Sequence, residues 1–216
     1  MSQASSPSSA EALSLSTEAA RMGVALDLGQ AARLLHLLDL LSEWNARINL
    51  TAIRSRGDMI QKHLLDSLSV QPFVRGPIVI DVGTGAGFPG LPLALLNPDL
   101  HFVLIDGTAK KIGFVRVAAA ALGLTNVEAL HVRAEDYRPE AKAASVVSRA
   151  LGSLLLFATR AGHLVAPHGE LLAMKGREPA EEIAELKAGW TVAGIEKLSV
   201  PGLDQERCLV RLVRGR

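Results

Sequence analysis

The 216-residue sequence predicts a doubly wound α/β fold, a mostly parallel seven-stranded sheet, with a helical extension ahead of it. Three observations predict it. First, Ile78-Val79-Ile80-Asp81-Val82 is a short β-branched run, as in a buried parallel strand, and it leads straight into a glycine-rich loop, Gly83 to Gly90. Second, strand-like and helix-like stretches alternate from Ile78 onward. Third, the segment before Ile78 carries leucines at spacings of three and four, a helical stripe that belongs to a core.

Taken in order, residues 1–10 are Ser-rich and uncharged, which predicts a disordered tail and shows no secretory signal. Residues 11–75 are expected to form the helical extension, packed on a main domain of residues 76–216. Asp27 and Gln30 form a capping box, and Leu34, Leu35, Leu37, Leu38, Leu41, Trp44 and Ile48 follow on one face. Asp58 and Gln61 repeat the D-x-x-Q pattern and predict a second helix through Leu68 towards Pro72. Pro89 suits the first turn of a helix that stops at Asn97-Pro98. Strand two is expected over 101–105, ending in Asp106. A helix is expected over 110–122, stopped by Gly123. Strands three and four are expected over 127–132 and 145–148, a helix over 154–165, strand five over 170–174 and a helix over 179–188. Residues 190–200 and 207–213 read as two closing strands, an antiparallel edge pair.

Bulk properties narrow the class. Apolar residues make up 49% of the chain, which marks a globular protein, and no apolar run reaches the roughly 18 residues of a membrane span. The single cysteine, Cys208, allows no internal disulfide and points to a reducing, cytoplasmic setting. The six histidines have no metal-ligand spacing, so no metal is expected. A net charge of +1 neither demonstrates nor excludes a nucleic-acid partner. The charge is unevenly placed, however. Residues 47–63 hold Arg47, Arg54, Arg56 and Lys62 against Asp58 alone, which reads either as a solvated helix corner or as a phosphate-contacting edge.

Ligands of such sheets bind beyond the carboxyl ends of the strands, and that rule selects the candidate site. Asp81 stands at the end of the first strand beside Gly83, Gly85 and Gly87. A pyrophosphate gains nothing from a carboxylate there, whereas the ammonium and sulfonium of S-adenosylmethionine do. The pattern D-x-G-x-G-x-G is similar to the loop of class I methyltransferases, although Gly85 to Gly90 also fits G-x-G-x-x-G in one frame and leaves a dinucleotide open. Asp106 after strand two can accept both ribose hydroxyls of an adenosine. Ala134 and Glu135 follow strand three, where the adenine edge belongs. Arg149 follows strand four and can clamp a carboxylate or phosphate. Lys175 follows strand five, with Gly176 leaving room. His63 lies in the basic segment close to Asp66 and Ser67.

Several short motifs in order carry a family resemblance: Trp44-Asn45, Asn49-Leu50-Thr51, His63-Leu64-Leu65-Asp66-Ser67, Asp81 through Gly90, Ser148-Arg149-Ala150, Lys175-Gly176, Val200-Pro201 and Glu206-Arg207. Together they resemble the RsmG family, also called glucose-inhibited division protein B. The resemblance implies S-adenosylmethionine-dependent methylation of guanine N7 in small-subunit (16S) ribosomal RNA, presented as a ribosomal subunit or assembly particle; a monomer is expected because the sequence leaves no exposed apolar stripe over. It places cofactor contacts on Gly83, Phe88, Ala134, Glu135 and Arg149, and substrate positioning on Arg149, Lys175 and Arg207, with Asn49 and His63 as further candidates. Gly107 departs from the serine often found there. The implied reaction suits the residues at hand. N7 carries a lone pair and no proton, so no general base is required. Cys208 stands on a late strand, poorly placed as a nucleophile, and no Asn/Asp-Pro-Pro-aromatic run follows strand four. A methyltransferase acting on a small molecule, and a non-catalytic binding protein, are the alternatives.

Overall fold

The computed structural model describes residues 9–149, 151–186 and 189–215. Seven strands form one sheet: β1 (Ile78–Val82), β2 (His101–Asp106), β3 (Val127–His131), β4 (Ala143–Ser148), β5 (Val165–Lys175), β6 (Trp190–Leu198) and β7 (Arg207–Arg214). Their order is β3-β2-β1-β4-β5-β7-β6; β1 to β5 are parallel, and β7 runs antiparallel to both its neighbours. The chain moves outward one way through β2 and β3 and the other way through β4 and β5. A crevice therefore opens beyond the carboxyl ends of β1 and β4.

Alternation along each strand divides the sheet between two cores. Phe102, Leu104, Val147, Leu172 and Leu209 face one side. There they meet helices α1 (Ser9–Arg21), α2 (Leu28–Ile48), α3 (residues 56–68), α4 (Gly90–Leu96) and α5 (Ala109–Ala121). Ile80, Val103, Val146, Leu171 and Val210 face the other side, under α6 (Leu154–Ala161), and a short α7 (Ala180–Ala184) follows β5. The extension thus shares one apolar core with the sheet, and α3 is held where it can overlook the strand ends.

The capping box is present: Asp27 Oδ1 accepts from the Gln30 N–H at 2.7 Å, and Gln30 Oε1 accepts from the Asp27 N–H at 3.1 Å. Residues 1–8, Ala150, residues 187–188 and Arg216 lie outside the described residues, and with them most of the expected tail; the helix expected over 179–188 is shorter, Ala180–Ala184. Ser9 and Ala10 belong to α1. Three further expectations need correction. The third helix is capped not by Asp58 but by Ser55, whose hydroxyl accepts from the Asp58 N–H at 3.1 Å, while the Asp58 carboxylate turns to Lys62 at 2.7 Å. That helix is also not uniform: Arg56–Met59 and Asp66–Leu68 are α-helical, and Ile60–Leu65 between them is a π-turn. Finally, β5 begins at Val165 and α6 stops earlier, at Ala161. Pro167 and the positive φ of His168 (67°) break the strand's first half, so its register against β4 jumps between Ala143 and Ser145. A broken strand loses the alternation by which sequence reveals one. The two closing strands do pair, but β6 alone is the edge, since β7 sits between it and β5.

Candidate active site

The glycine loop is organised from behind by Asp81. Its Oδ2 accepts from the Thr84 hydroxyl at 2.6 Å and from the Gly90 N–H at 2.8 Å, tying both ends of the loop to β1. The loop's entry is clamped to β2, where the Gly83 and Thr84 N–H groups donate to the Ile105 carbonyl at 2.9 and 3.1 Å. Gly87 has φ +86°, and a Cβ there would stand 2.4 Å from Leu91 Cδ1, so the turn into α4 admits glycine alone. Asp81 lines neither of the two strand-end clefts and lies behind the loop. It is fully buried, and its Oδ1 has no hydrogen-bond partner among the described residues.

Burial raises the Asp81 carboxyl to about 6, against the hydrogen bonds from Thr84 and Gly90. Its folded value lies above the unfolded value of 3.8, so the folded state binds the proton more tightly. Stability is then lost as pH rises between these two values, and the penalty is complete above the upper one. Asp81→Asn, which mimics the protonated acid, is expected to be more stable than the parent at pH 7, by on the order of 2–3 kcal/mol, and equally stable below the unfolded value. Urea unfolding at both pH values checks this.

In front of the loop, a cleft of about 310 Å³ opens at the ends of β1, β2 and β3, lined by Gly83, Asp106, Gly107, Ala134, Glu135 and Arg160 among others. Asp106 reaches it with both carboxylate oxygens: Oδ2 accepts from the Gly85 N–H at 3.0 Å and lies 3.7 Å from Lys111 Nζ, and Oδ1 accepts from the Thr108 N–H at 2.8 Å. Each oxygen retains a further lone pair for a ligand hydroxyl. Ala134 and Glu135 stand on a 3₁₀ turn, with the Glu135 carboxylate 4.0 Å from Arg160. Four sequence candidates from three different strand ends therefore meet at one wall.

A second cleft, about 330 Å³, opens at the ends of β4, β5 and β7 against α3, lined by Lys62, His63, Asp66, Arg149, Lys175 and Arg207 among others. Arg149 lines this cleft and is not among the lining residues of the first. Its guanidinium donates to the Lys62 carbonyl at 2.9 Å and lies 3.5 Å from Asp66 Oδ2. Arg207 Nε donates to Asp66 Oδ1 at 3.1 Å. Lys175 Nζ donates to the Gly152 carbonyl and to Glu182 Oε2, both at 2.7 Å.

Phe88 is buried behind the second cleft, packed against two of its lining residues. From the glycine loop its ring stacks on His63, centroids 4.7 Å apart, and the Arg149 guanidinium lies 5.8 Å from the ring centroid. Burial, then the Arg149 charge, lowers His63 to about 4, so the imidazole is neutral at neutral pH. Arginine only donates, so His63 Nδ1, 3.4 Å from Arg149 Nη2, is an acceptor. The ring proton therefore sits on Nε2, 3.1 Å from the Thr51 hydroxyl oxygen.

Asn49 is not in either cleft. It is exposed and caps the C-terminus of α2 in the left-handed conformation, φ 46°. The buried Asn45 is the residue that fixes the following turn, its Oδ1 accepting from the Leu50 and Thr51 N–H groups at 2.6 and 2.9 Å. The basic segment is largely neutralised. Arg56 is held by Glu11 of α1 and Asp39 of α2, and Arg47 lies 3.7 Å from Glu43. Of its cations, Lys62 lines the second cleft. Residues not selected from sequence are Thr84, Asp66 and Glu182. Asp66 had a usable signal, since three residues after His63 on a helix is the same face.

Residues 30–210 match the family model described as rRNA small subunit methyltransferase G, GidB. The ribosomal RNA small subunit methyltransferase G of Nitrosococcus oceani is 44% identical over 191 residues, spanning 88% of this chain and 89% of its own length. That of Psychromonas ingrahamii is 46% identical over 185 residues, spanning 86% and 89%. Among solved structures, a SAM-dependent methyltransferase from Aquifex aeolicus matches at TM-score 0.56 and 19% identity over 74% of this chain and 94% of that one. TrmN from Thermus thermophilus matches at TM-score 0.57 and 20% identity over 72% and 53%. Those two likenesses establish the class I methyltransferase fold. With a family model that runs from α2 into β7 and relatives similar over nearly their whole length, the chain belongs to the rRNA small subunit methyltransferase G family.

Proposed function

We propose that this protein transfers the methyl group of S-adenosylmethionine to N7 of a guanine in small-subunit ribosomal RNA, presented in a ribosomal subunit or assembly particle. The observation that carries this reading is the pair of clefts at the carboxyl ends of the parallel strands, one walled by strand-end acids and glycines, the other by cations. The first fits the cofactor. The unpartnered, buried Oδ1 of Asp81 leaves a negative charge behind the glycine loop, which a cationic ligand compensates. Asp106 offers its remaining lone pairs to the ribose, Ala134 and Glu135 stand beside the adenine, and Gly83, Gly85 and Gly87 let the chain approach the methionine end. Phe88 supports that end from the stack on His63.

When bound, S-adenosylmethionine supplies an electrophilic methyl group on a sulfonium. Arg149 and Arg207 present guanidinium forks, and Lys175 a point charge, to the guanine and its phosphates. His63, neutral and buried, packs against the loop and has no proton to remove, since guanine N7 carries none. Cys208 is no nucleophile here: it is buried in β7, and burial pushes its thiol up. Catalysis is therefore alignment, a contribution of about 7–11 kcal/mol in the best cases. The exposed large hydrophobics among the described residues, Leu13, Leu28, Val117 and Leu156, stand on four different helices, which supports a monomer. Among the described residues no helix is long and apolar enough to cross a membrane, and we place the protein in the cytoplasm.

The test is methyl transfer from labelled S-adenosylmethionine to small subunits lacking the modification, followed by nucleoside analysis. N7-methylguanosine is the expected product. Label in another nucleoside overturns the N7 assignment, and no label from a cofactor-binding protein overturns the substrate. Lys175→Ala is expected to lower turnover on RNA by about 10-fold with cofactor affinity unchanged, since one charge-assisted contact is removed. Equal losses in calorimetry and turnover would remove Lys175 from the substrate side.

A further inference from the structure

Asp66 is 3% exposed, yet it is a carboxylate. It sits at the floor of the second cleft, in the last turn of α3, directly after the π-turn. Its two oxygens face two guanidiniums from distant parts of the chain: Oδ1 accepts from Arg207 Nε at 3.1 Å, and Oδ2 lies 3.5 Å from Arg149 Nη1. Among the described residues it is the one acid in an ion pair with either arginine. Burial raises its carboxyl, and both arginines oppose that shift. A lone carboxylate at such a site is unfavourable, and two guanidiniums make it tenable. The converse also holds. Arg149 follows β4 and Arg207 opens β7, two strands separated in the sheet by β5, and Asp66 is the ionic link between them.

We propose that Asp66 is a positioning residue for methyl transfer, its carboxylate fixing Arg149 and Arg207 as a matched pair of donors facing the RNA. This rests on the assignment of the second cleft to the guanine and its phosphates. Two guanidiniums side by side repel, and a shared carboxylate reduces the charge of the group from +2 to +1 while fixing both planes. Guanine presents O6 and N7 as acceptors on one edge, and N7 must stay free for the methyl group. A donor held at O6, and a second held at a phosphate, orient the base without covering N7. Arginines free to swing would cover N7 as readily as O6.

The experiment measures methyl-transfer kinetics on small subunits and cofactor affinity by calorimetry for Asp66→Ala, Asp66→Asn and Arg207→Ala, and for Asp66→Ala and Asp66→Asn each combined with Arg207→Ala. Asp66→Ala is expected to lower kcat/KM for RNA by about 100-fold. Asp66→Asn keeps one acceptor oxygen but turns an amide N–H at the other arginine, so about 10-fold is expected. Cofactor Kd is expected to stay within about 2-fold for both, because Asp66 lines only the second cleft. Since Asp66 acts through the arginines, either substitution is expected to cost clearly less in the Arg207→Ala background than in the parent. If Asp66→Ala does not fold, the asparagine pair carries the same comparison. An active parent with an equally active Asp66→Ala overturns the positioning role alone. So does a parallel loss of cofactor affinity, or full additivity with Arg207→Ala. A parent that labels no RNA overturns the substrate assignment, and the positioning role with it.

Discussion

Arg149→Ala is expected to lower methyl transfer to ribosomal RNA by about 100- to 1,000-fold, the size of effect seen when a preorganised donor is removed from a water-poor site. The side chain is the hinge of the second cleft. It touches the α3 backbone at Lys62, the Asp66 carboxylate and the neutral His63, and lies beside the Phe88 ring of the glycine loop. Removing it takes away a donor and leaves Asp66 to Arg207 alone. Cofactor affinity is expected to change little, because the adenosine side of the first cleft is walled by Gly83, Asp106, Ala134 and Glu135. Arg149→Lys is expected to recover little activity, since an ammonium cannot reproduce a fork that reaches a carbonyl, a carboxylate and an imidazole together. Single-turnover rates with saturating cofactor, set beside calorimetric Kd, check this. A loss confined to cofactor binding would return Arg149 to the first cleft.

Gly90→Ala is expected to destabilise the fold by about 2–3 kcal/mol and to weaken cofactor binding by 10-fold or more, because overpacking here has no flexible neighbour to absorb it. The new Cβ would meet Asp81 Oδ2 at 2.7 Å and Leu104 Cγ at 2.7 Å. Leu104 is a fully buried strand residue, and Asp81 Oδ2 is the oxygen that gathers the loop through Thr84 and the Gly90 N–H. A single methyl group therefore strains the core and displaces the anchor of the cofactor loop. Urea midpoints and calorimetry on the same preparation would show both effects. Loss of stability with an intact cofactor Kd would mean that Asp81 does not govern the loop.

What was legible in the sequence is what short-range chemistry dictates. The β1–glycine loop–α4 unit is contiguous, so its strand, turn and helix could be read directly. Asp106, Ala134 and Glu135 followed from a rule about strand ends, and they share a cleft because parallel strands bring their carboxyl ends to one edge. What was not legible depends on partners far away in sequence. The basic segment looked exposed until Arg56 met Glu11 and Asp39 across two other helices. Asp66 looked incidental until Arg149 and Arg207 converged on it. Asn49 and Asn45 both belong to a recognisable motif, and only the direction in which α2 ends shows that the first caps a helix and the second pins the turn. The π-turn has no propensity signal of its own in the sequence.

The sheet order has a consequence for how the enzyme is made. Synthesis delivers β5 and then β6 before the strand that must lie between them, so a growing chain exposes one bare sheet edge and one strand with nowhere to dock. Residues 207–214 close both vacancies at once, and Arg207 arrives with them. The residues lining the first cleft, from Val82 to Arg160, all precede β7, whereas the second needs Arg207. On the proposed roles of the clefts, a nascent chain without residues 207–214 therefore carries every residue of the cofactor side and lacks one of the three cations proposed to meet the RNA.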